Sequence, residues 1–445
     1  MPFSNRQEAG HPELIQSIAA RATPLRNKWD LKPLVDRLSR AKIVMLGEAS
    51  HGTHEFYEWR RLISEQLLTQ HGFNFIAVEG DWPPCRELNR YVHSGEGESI
   101  REVLNHFNRW PTWMWANSDI IRLAKEMLSF NLTVQEPKQV GFFGLDVYSL
   151  FESIDSVLSQ LEKINPLLAR RAKMKYACFE PYQRDEWAYA KSLLKFPKGC
   201  EKEVLDTLQE LLKLRIDGLK DREEALFDAQ QNARIIANAE DYYSTMIHGG
   251  DNSWNIRDRH MMETLNLLLK RYGKDSKAIV WAHNTHIGDY RATNMVKEGQ
   301  INIGGLAREE WGNNQVALVG FGTYEGEVVA SHAWDGPTEV MSVPPGRKGS
   351  YEAALHQVSL TQNLGSFWMA LDDEEARSGS LAQVRGHRAI GVVYLPAYER
   401  FETYVPTSFS HRYDAFVFID RTTALEPLIQ DFKREEIPET WPEGQ

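Results

Sequence analysis

Cysteine is scarce in this sequence. Only three cysteines, Cys85, Cys178 and Cys200, occur among 445 residues. Because they are odd in number and widely spaced, the sequence predicts no disulfide framework. We expect each of them to be a small apolar residue of the interior and not a nucleophile.

Long hydrophobic runs are also missing. No stretch of about 18 apolar residues occurs, so no membrane-spanning helix is predicted. The first residues lack the basic and apolar regions of a signal peptide, and we therefore expect a soluble, cytoplasmic protein. The net charge of −11 at pH 7 argues against binding to nucleic acid or to anionic membranes, because their phosphate groups would be repelled. Nothing in the sequence indicates a protein partner.

Several common functional motifs are absent as well. No Gly-x-Ser-x-Gly elbow occurs, and Ser50 has no strong nucleophile context. No Walker loop is present, and no Gly-x-Gly-x-x-Gly follows a strand, so nucleotide binding has no support. We expect a site without a serine nucleophile and without a cofactor.

What the sequence does contain is a dense cluster of titratable residues near position 50. The apolar run 43–46 is short and continuous, which favours a buried strand. Gly47 allows a tight turn after it. Four titratable residues then follow within eight positions, and a helix with regularly spaced apolar residues begins near His54. A strand, a glycine turn, a charged loop and a helix start are typical of an active site in an open α/β sheet.

Short apolar runs predict the rest of the sheet, at 75–78, 140–145, 278–282, 316–321, 389–394 and 415–419. Helical connections between the earlier strands favour parallel pairing, whereas the last two strands have a short link and are expected to pair antiparallel. Pro83 and Pro84 are expected to end regular structure before a short helix at 86–92. Residues 332–350 are interpreted as a loop because they contain proline and glycine.

The predicted fold class is α/β, with a mostly parallel central sheet flanked by helices. Residues 1–150 and 276–445 are expected to form the α/β core. Residues 151–275 are charged and have helical periodicity, so they are interpreted as a large helical insertion that caps the active-site cleft.

Polar residues follow four of the predicted strands. Because the carboxyl ends of parallel strands meet at one edge of a sheet, and ligands bind there in open α/β folds, we expect these residues to form a site. In chain order they are Glu48, His51, Glu79, Asp146, His283 and His286.

The residue types favour hydrolysis by an activated water. His51 is a candidate general base, because the ordinary pKa of histidine lies near working pH. Glu48 or Glu79 could orient the imidazole and stabilise its protonated form. Arg60, on the adjoining helix, could stabilise a developing oxyanion. The interpretation is an attack of water on an ester without a covalent enzyme intermediate.

Two further questions stay open at this level. A catalytic zinc site could use the same side chains, because the spacing His-x-x-His occurs twice, although neither copy has the zincin pattern. The usable ligands are Glu48, His51, His54, Glu79, His283 and His286.

The aromatic cluster 110–115, which includes Trp113, is either hydrophobic packing or an apolar wall for a bulky substrate.

An ordered set of motifs resembles the erythromycin esterase family. The resemblance runs from about 40 to 428, nearly the whole chain. Its motifs are LGEASHGTH at 46–54 with Arg60, AVEGD at 77–81, GLDVY at 144–148, NIRDRH at 255–260, WAHNTH at 281–286, YDAFVFID at 413–420 and ALEP at 424–427.

The resemblance implies an α/β core, a helical insertion and a deep cleft between them. It implies hydrolysis of a macrolactone ester by a water that a histidine activates, a function associated with antibiotic resistance, and the family is usually described as needing no metal. Carried over by position, the base is His51, and the carboxylates around it are Glu48 and Glu79. The other polar residues of the cleft are Arg60, His283 and His286. We expect Asp146, His54 and Trp113 to contact the substrate, a small-molecule ester or lactone.

Related folds include haem-binding proteins, so a non-enzymatic protein that binds a small molecule or haem is a third alternative by analogy of fold. The paired carboxylates favour a catalytic base over a haem pocket. A haem pocket has little use for Glu48 and Glu79 beside two or more histidines.

Overall fold

The structure of the protein, a computed structural model, describes residues 12–214, 220–249 and 253–428. The described residues belong to two compact units. The first lies within Met1–Ala77, Leu88–Phe142 and Leu269–Gln445, and the second within Val78–Glu87 and Phe143–Leu268. The functional division into a core of 1–150 and 276–445 and a cap of 151–275 stays a prediction.

The strands of the described chain are short, with one exception, β6. They are β1 Thr23–Pro24, β2 Ile43–Leu46, β3 Phe75–Val78, β4 Gly141–Gly144, β5 Ala278–Trp281, β6 Val316–Ala330, β7 Glu339–Val343, β8 Ser366–Ala370, β9 Val384–Arg388, β10 Tyr404–Ser408 and β11 Ala415–Thr422.

Helices make up most of the remaining regular structure. They are α1 Pro12–Arg21, α2 Lys32–Leu38, α3 His54–Gln70, α4 Trp82–Ser94, α5 Ile100–Leu104, α6 Ser118–Asn131, α7 Leu150–Ile164, α8 Pro166–Tyr176, α9 Glu186–Leu193, α10 Glu201–Lys213, α11 Lys220–Ile247, α12 Ser253–Tyr272, α13 Asn284–Ile287, α14 Ile303–Trp311, α15 Tyr351–Gln362, α16 Glu374–Ser378, α17 Glu399–Glu402 and α18 Phe409–Arg412. Within the described ranges, no helix is long and apolar enough to cross a membrane.

The main sheet has nine described strands in the order β1-β8-β11-β6-β2-β5-β3-β4, with β7 paired to β6. Strand β2 pairs in parallel with β5 and β6, and β6 pairs in parallel with β11. Antiparallel pairing occurs between β8 and β11 and between β7 and β6. Strands β9 and β10 form a separate antiparallel pair. The predicted fold class, a mostly parallel sheet flanked by helices, is confirmed.

Strand β2 shows why the centre of the sheet was predictable. All four of its residues are buried, because neighbouring strands pair on both sides and a parallel strand is covered on both faces. The register places Leu46 opposite Trp281 of β5 and Val319 of β6. The backbone N–H of Gly47 donates to the carbonyl oxygen of Val319 at 2.8 Å. The loop that follows therefore starts at the carboxyl ends of β2 and β5, beside β6, which continues past this point to Ala330.

The second unit is mainly helical, as predicted for much of 151–275. Helices α7 and α11 pack through fully buried apolar residues, among them Val157, Leu161, Ala233 and Ile236. Burial of a large aliphatic side chain contributes on the order of 1.5–3 kcal/mol. This repeated burial explains why a strongly charged sequence folds here as a packed helical unit. That the unit caps a cleft stays a prediction.

The prediction that Pro83 and Pro84 end regular structure is wrong. Helix α4 begins at Trp82, so both prolines lie in its first turn. The N–H groups of a first turn have no acceptor within the helix, and proline loses nothing there. The helix is consequently longer than the predicted segment 86–92.

Two predictions in the C-terminal part are also wrong. The predicted loop 332–350 contains strand β7. The apolar run 389–394 is not a strand of the sheet, and β11 does not pair with it. Instead, its backbone forms isolated bridges to two separate segments. Ile390 donates to the carbonyl oxygen of Ala49 at 2.8 Å, and Tyr394 donates to that of Ser331 at 2.8 Å while Val392 accepts from Ser331 at 3.0 Å. The segment therefore buries Ile390, Val392 and Tyr394 without joining a ladder.

The expectation for the cysteines is wrong for two of the three. Cys178 and Cys200, 22 residues apart, form a disulfide within the second unit. Cys85 is free and buried, as expected. Burial raises the pKa of the Cys85 thiol well above its usual value, and the charges of Asp81 and Asp146 raise it further. Cys85 is therefore held as a neutral thiol, which suits an interior residue and not a nucleophile.

Candidate active site

The loop between β2 and α3 is fixed at its first residue by Asn284. A Cβ atom on Gly47 would lie 2.1 Å from Oδ1 of Asn284, so only glycine leaves room for the asparagine side chain. Asn284 Nδ2 donates to the carbonyl oxygen of Phe321 at 2.7 Å. Its backbone N–H donates to the carbonyl oxygen of Glu48 at 2.8 Å. Asn284 thus connects the start of the loop to β6.

A buried carboxylate, that of Glu48, bridges two candidate residues. Its Oε1 lies 3.0 Å from Nδ1 of His51, and its Oε2 accepts from Nη2 of Arg60 at 2.5 Å. Because a carboxylate only accepts, Nδ1 carries the imidazole proton in this pair. The neutral imidazole then has its lone pair on Nε2, to which none of the described residues is hydrogen bonded. His51 is thereby held in the tautomer that a general base needs.

The guanidinium of Arg60 is enclosed by protein. Its carbon lies 4.4 Å from the ring centre of Tyr57 and 4.7 Å from that of Trp281. Its Nε donates to the carbonyl oxygen of Phe56 at 3.3 Å. The Arg60 side chain is fully buried, and Nη1 has no hydrogen-bond partner among the described residues. This arginine therefore faces Glu48 and aromatic rings.

A second histidine, His283, lies against His51. The centres of the two imidazole rings are 4.9 Å apart. His283 caps helix α13, and its Nδ1 accepts from the backbone N–H of Thr285 at 3.3 Å. A neutral His283 consequently carries its proton on Nε2. His286 is buried in the same short helix, and its backbone N–H donates to the carbonyl oxygen of His283 at 2.9 Å.

The far side of the loop is held by distant parts of the chain. The carbonyl oxygen of Gly52 accepts from the backbone N–H groups of Val329, at 2.9 Å, and Leu425, at 3.0 Å. A Cβ atom on Gly52 would lie 1.9 Å from the carbonyl oxygen of Val329. This close approach requires glycine directly after His51. The loop is therefore clamped immediately beside the candidate base.

His54, expected to contact substrate, pairs with a buried aspartate. Its Nδ1 lies 2.7 Å from Oδ2 of Asp119. This hydrogen bond raises the pKa of His54, although burial opposes it. The His54 side chain is 33% exposed, so part of it is still accessible. Its contact with substrate stays a prediction.

Trp113 lies in the short 3-10 helix Thr112–Met114. Its side chain is fully buried and meets Trp110 edge to face, with ring centres 5.4 Å apart. Trp110 in turn contacts Trp334, at 4.6 Å. These contacts favour packing, one of the two interpretations of the aromatic cluster, and a substrate contact of Trp113 stays a prediction.

Two further candidates, Glu79 and Asp146, lie in the second unit and share an arginine that sequence reasoning missed. Arg257 donates from Nε and Nη2 to the two carboxylate oxygens of Asp146, at 2.9 and 2.7 Å, and from Nη2 to Glu79 at 2.7 Å. All three side chains are buried. Arg257 also lies over the ring of Tyr148, 4.8 Å from its centre.

The electrostatics of this cluster keep Arg257 protonated. Burial lowers the pKa of Arg257, but the charges of Asp146, Tyr148 and Glu79 outweigh burial and raise it well above its usual value. Three residues later, burial lowers the pKa of His260 to about 4. The motif NIRDRH at 255–260 pointed to this segment, but no signal in the sequence indicated which of its residues would pair with carboxylates.

A continuous chain of contacts in the first unit joins four of the six predicted catalytic residues, Arg60, Glu48, His51 and His283. His286 lies on the same short helix as His283, and Glu79 belongs to the second unit. Over the ranges 12–214, 220–249 and 253–428, no three or more His, Cys, Asp or Glu side chains are grouped so that they could hold a metal ion. In the first unit, the arrangement is that of a histidine general base, His51, supported by the carboxylate of Glu48.

Comparison with known proteins gives relatives that match much of the chain. A family model described as Erythromycin esterase matches residues 68–422. Erythromycin esterase type II of Escherichia coli is 23% identical over 338 residues, which cover 69% of this chain and 75% of that protein. The putative hydrolase YbfO of Bacillus subtilis (strain 168) is 24% identical over 363 residues, covering 73% of this chain and 74% of that protein.

Solved structures share the fold. A Bacillus cereus protein is 21% identical with a TM-score of 0.76, and the alignment covers 96% of this chain and 100% of that one. A mutant of the erythromycin esterase EreC in its open conformation is 16% identical with a TM-score of 0.68, covering 93% and 99%. The family model spans most of the chain, from within α3 to the end of β11. The chain therefore belongs to the erythromycin esterase family and is a hydrolase of that family.

Proposed function

We propose that this protein hydrolyses an ester or lactone by means of a water molecule that His51 activates. The observation that carries the proposal is the buried carboxylate of Glu48, shared between Nδ1 of His51 and Nη2 of Arg60. This arrangement fixes the tautomer of the histidine, and it places a negative charge where a protonated imidazole would form. The site is expected to act in the cytoplasm, without a metal or other cofactor.

The proposed reaction needs one proton carrier. Nε2 of His51 takes a proton from water while the water oxygen attacks the carbonyl carbon of the ester. Glu48 stabilises the imidazolium that results. As the tetrahedral intermediate collapses, the bond to the alcohol oxygen breaks, and His51 returns the proton to that oxygen. The products are a carboxylic acid and an alcohol, which stay joined in one molecule when the substrate is a lactone. No bond between enzyme and substrate forms.

The surroundings of Arg60 support a positioning role more than the oxyanion contact expected from sequence. Its guanidinium is fully buried between two aromatic rings. A side chain in that position acts on the substrate through Glu48, whose orientation and charge it maintains. We propose the same kind of role for Arg257, which holds Glu79 and Asp146 in the second unit.

Macrolactones are the proposed substrate class, because one relative is named an erythromycin esterase and the family carries the same description. A role in macrolide resistance is part of this proposal. His54 is the best placed of the three predicted substrate contacts, since a third of its side chain is exposed. Trp113 and Asp146 are also proposed contacts, and both side chains are buried.

The test is hydrolysis of erythromycin and of simpler esters by the purified protein, with and without EDTA. His51→Ala should abolish turnover without loss of the fold. His106→Ala is the matched control, because that histidine is 47% exposed and pairs with Glu98 on the surface. Macrolide opening that survives EDTA and disappears only in His51→Ala supports the whole proposal.

Other outcomes distinguish the parts of the proposal. If another ester is cleaved in a reaction that depends on His51 and erythromycin is not cleaved, the mechanism is supported, and the macrolide substrate and the resistance role are rejected. Activity lost together with stoichiometric bound metal would establish the metal-dependent alternative. Absence of turnover on every ester, with absorbance near the haem Soret region, would favour the binding-protein alternative.

A further inference from the structure

A cavity outside the candidate active site lies between the loop 344–348 and the segment that leads into helix α17, both in the first unit. The loop residues 344–348 line it together with Pro396, Ala397, Glu399 and Arg400, and its volume is about 320 Å³. Three of the lining residues are prolines, Pro344, Pro345 and Pro396. Because proline restricts the backbone, the rim of this cavity is stiff. The volume is at the lower end of the range for small-molecule pockets.

The cavity carries an excess of positive charge. Arg347, Lys348 and Arg400 line it, and none of them has an acidic side chain within ion-pair distance in the described part of the chain. The carboxylate on the wall, Glu399, is buried and already paired with Arg388, at 2.8 Å. Three cationic side chains therefore surround the cavity without a compensating anion, in a protein whose net charge is −11.

Arg347 is held in place before any ligand binds. Its guanidinium lies over the ring of Tyr404, 4.3 Å from the centre, and its Nη1 donates to the carbonyl oxygen of Arg400 at 2.9 Å. A Cβ atom on Gly386 would lie 2.3 Å from Nη2 of Arg347, so the guanidinium occupies space that glycine leaves open. None of the described residues accepts from Nε or Nη2, which can therefore donate to a ligand.

Exposed apolar side chains are neighbours in sequence of the lining residues. Leu395, Tyr398 and Phe401 are 38%, 56% and 78% exposed, and they lie in or just before helix α17, which carries Arg400. A basic cavity beside exposed apolar side chains suits a ligand that has an anionic group and a larger uncharged part.

We propose that this cavity binds the phosphate group of a phosphomonoester. Arginine guanidinium groups make paired hydrogen bonds to phosphate oxygens, and lysine adds a point charge. A phosphomonoester is close to doubly charged at neutral pH, which matches three free cations better than a single carboxylate does. The overall negative charge of the protein does not prevent this, because exposed charges beyond about 10 Å are screened by salt. The proposal does not depend on the hydrolytic function.

A phosphomonoester could come from a soluble metabolite or from a lipid headgroup, and the test has one arm for each source. In the first, inorganic phosphate, glucose 6-phosphate and glucose are titrated into the full chain by calorimetry. In the second, the protein is sedimented with phosphatidylcholine vesicles that contain or lack phosphatidic acid. Arg347→Gln and Arg400→Gln remove the proposed contacts. Lys297→Gln is the control, because it removes one exposed positive charge elsewhere in the first unit.

Two results would support the proposal. Glucose 6-phosphate binding that weakens about tenfold or more in both arginine variants, but not in Lys297→Gln, would establish a soluble ligand. Vesicle binding that requires phosphatidic acid and both arginines, without binding of the soluble probes, would assign the cavity to a lipid headgroup. Three results would overturn the proposal. They are an affinity that is unchanged in Arg347→Gln and Arg400→Gln, an equal loss of affinity in Lys297→Gln, and no binding of any probe. Arg400→Gln keeps the test valid if Arg347→Gln misfolds, because the side chain of Arg400 is exposed.

Discussion

Replacing Glu48 by glutamine removes the buried charge that the proposed mechanism needs. Glu48 Oε1 lies 3.0 Å from His51 Nδ1, so the charge centres of a carboxylate and an imidazolium would be about 4 Å apart. At an effective dielectric constant of about 20, unit charges at that distance attract by about 4 kcal/mol. Because the imidazolium forms in the transition state, loss of this attraction should lower kcat/KM about a thousandfold. The assay is the initial rate on the ester that the wild type cleaves best.

The same change has a second effect that the assay must separate from the first. Arg60 would stay buried without its carboxylate, and breaking one side of a buried ion pair costs about 3–5 kcal/mol of stability. We therefore pair Glu48→Gln with the double variant Glu48→Gln/Arg60→Met, in which the buried positive charge is removed as well. Urea unfolding should show recovered stability in the double variant, while its rate stays low.

Two results would refute this reasoning. If Glu48→Gln keeps a near-normal kcat/KM while His51→Ala is inactive, Glu48 does not stabilise an imidazolium. If the double variant recovers both stability and rate, the role of Glu48 is only to neutralise Arg60.

Three further predictions concern other parts of the structure. Gly52→Ala should lower the free energy of unfolding by about 1–3 kcal/mol and reduce turnover, because a Cβ atom there meets the carbonyl oxygen of Val329. Thermal unfolding measures the change in stability, and initial rates measure the change in turnover. Arg257→Gln should lower the free energy of unfolding in urea by about 3–5 kcal/mol, because two buried carboxylates lose their guanidinium. Arg257→Lys should recover only part of that free energy, since lysine cannot bind Asp146 through two parallel hydrogen bonds. The pKa of His260 is lowered to about 4 in the folded protein, below the value of about 6.5 in the unfolded chain. The unfolded chain therefore takes up a proton first as the pH falls, and the stability that the neutral His260 contributes is complete above pH ~6.5 and decreases below it. Between pH 7.5 and pH 4 the free energy of unfolding should therefore fall by up to about 3 kcal/mol more in the wild type than in His260→Asn, and equal pH dependence of the two proteins would contradict this.

The centre of the sheet was predicted well from sequence, and its edges were not. Strands 43–46 and 75–78 have the predicted bounds, because strands buried on both faces are continuous apolar runs. Strand β7 was missed inside a predicted loop. Its residues alternate between exposed and buried, with Val340 63% exposed, and the surrounding prolines and glycines dominate the local pattern. Strand β8 was not predicted at all, since it depends on pairing with β1 and β11, which are distant in sequence.

The candidate site shows the same division. Glu48, His51 and Arg60 were predictable as neighbours because one strand, one turn and one helix place them within 12 residues. Arg257 lies 111 residues from Asp146, and His54 lies 65 residues from Asp119. Such pairs depend on how helices and loops meet in three dimensions, which periodicity does not encode.

The clamp on Gly52 has a consequence for when activity can appear during protein synthesis. The carbonyl oxygen of Gly52 accepts from the backbone N–H of Leu425, which is synthesised several hundred residues after the loop. At roughly 5–20 residues per second, that partner arrives tens of seconds after the loop itself has been made. The nascent chain therefore carries His51 without the contacts that fix its loop. Catalysis should begin only after Leu425 has been synthesised, and truncations that remove Leu425 should accumulate as inactive chains even where the sheet has formed.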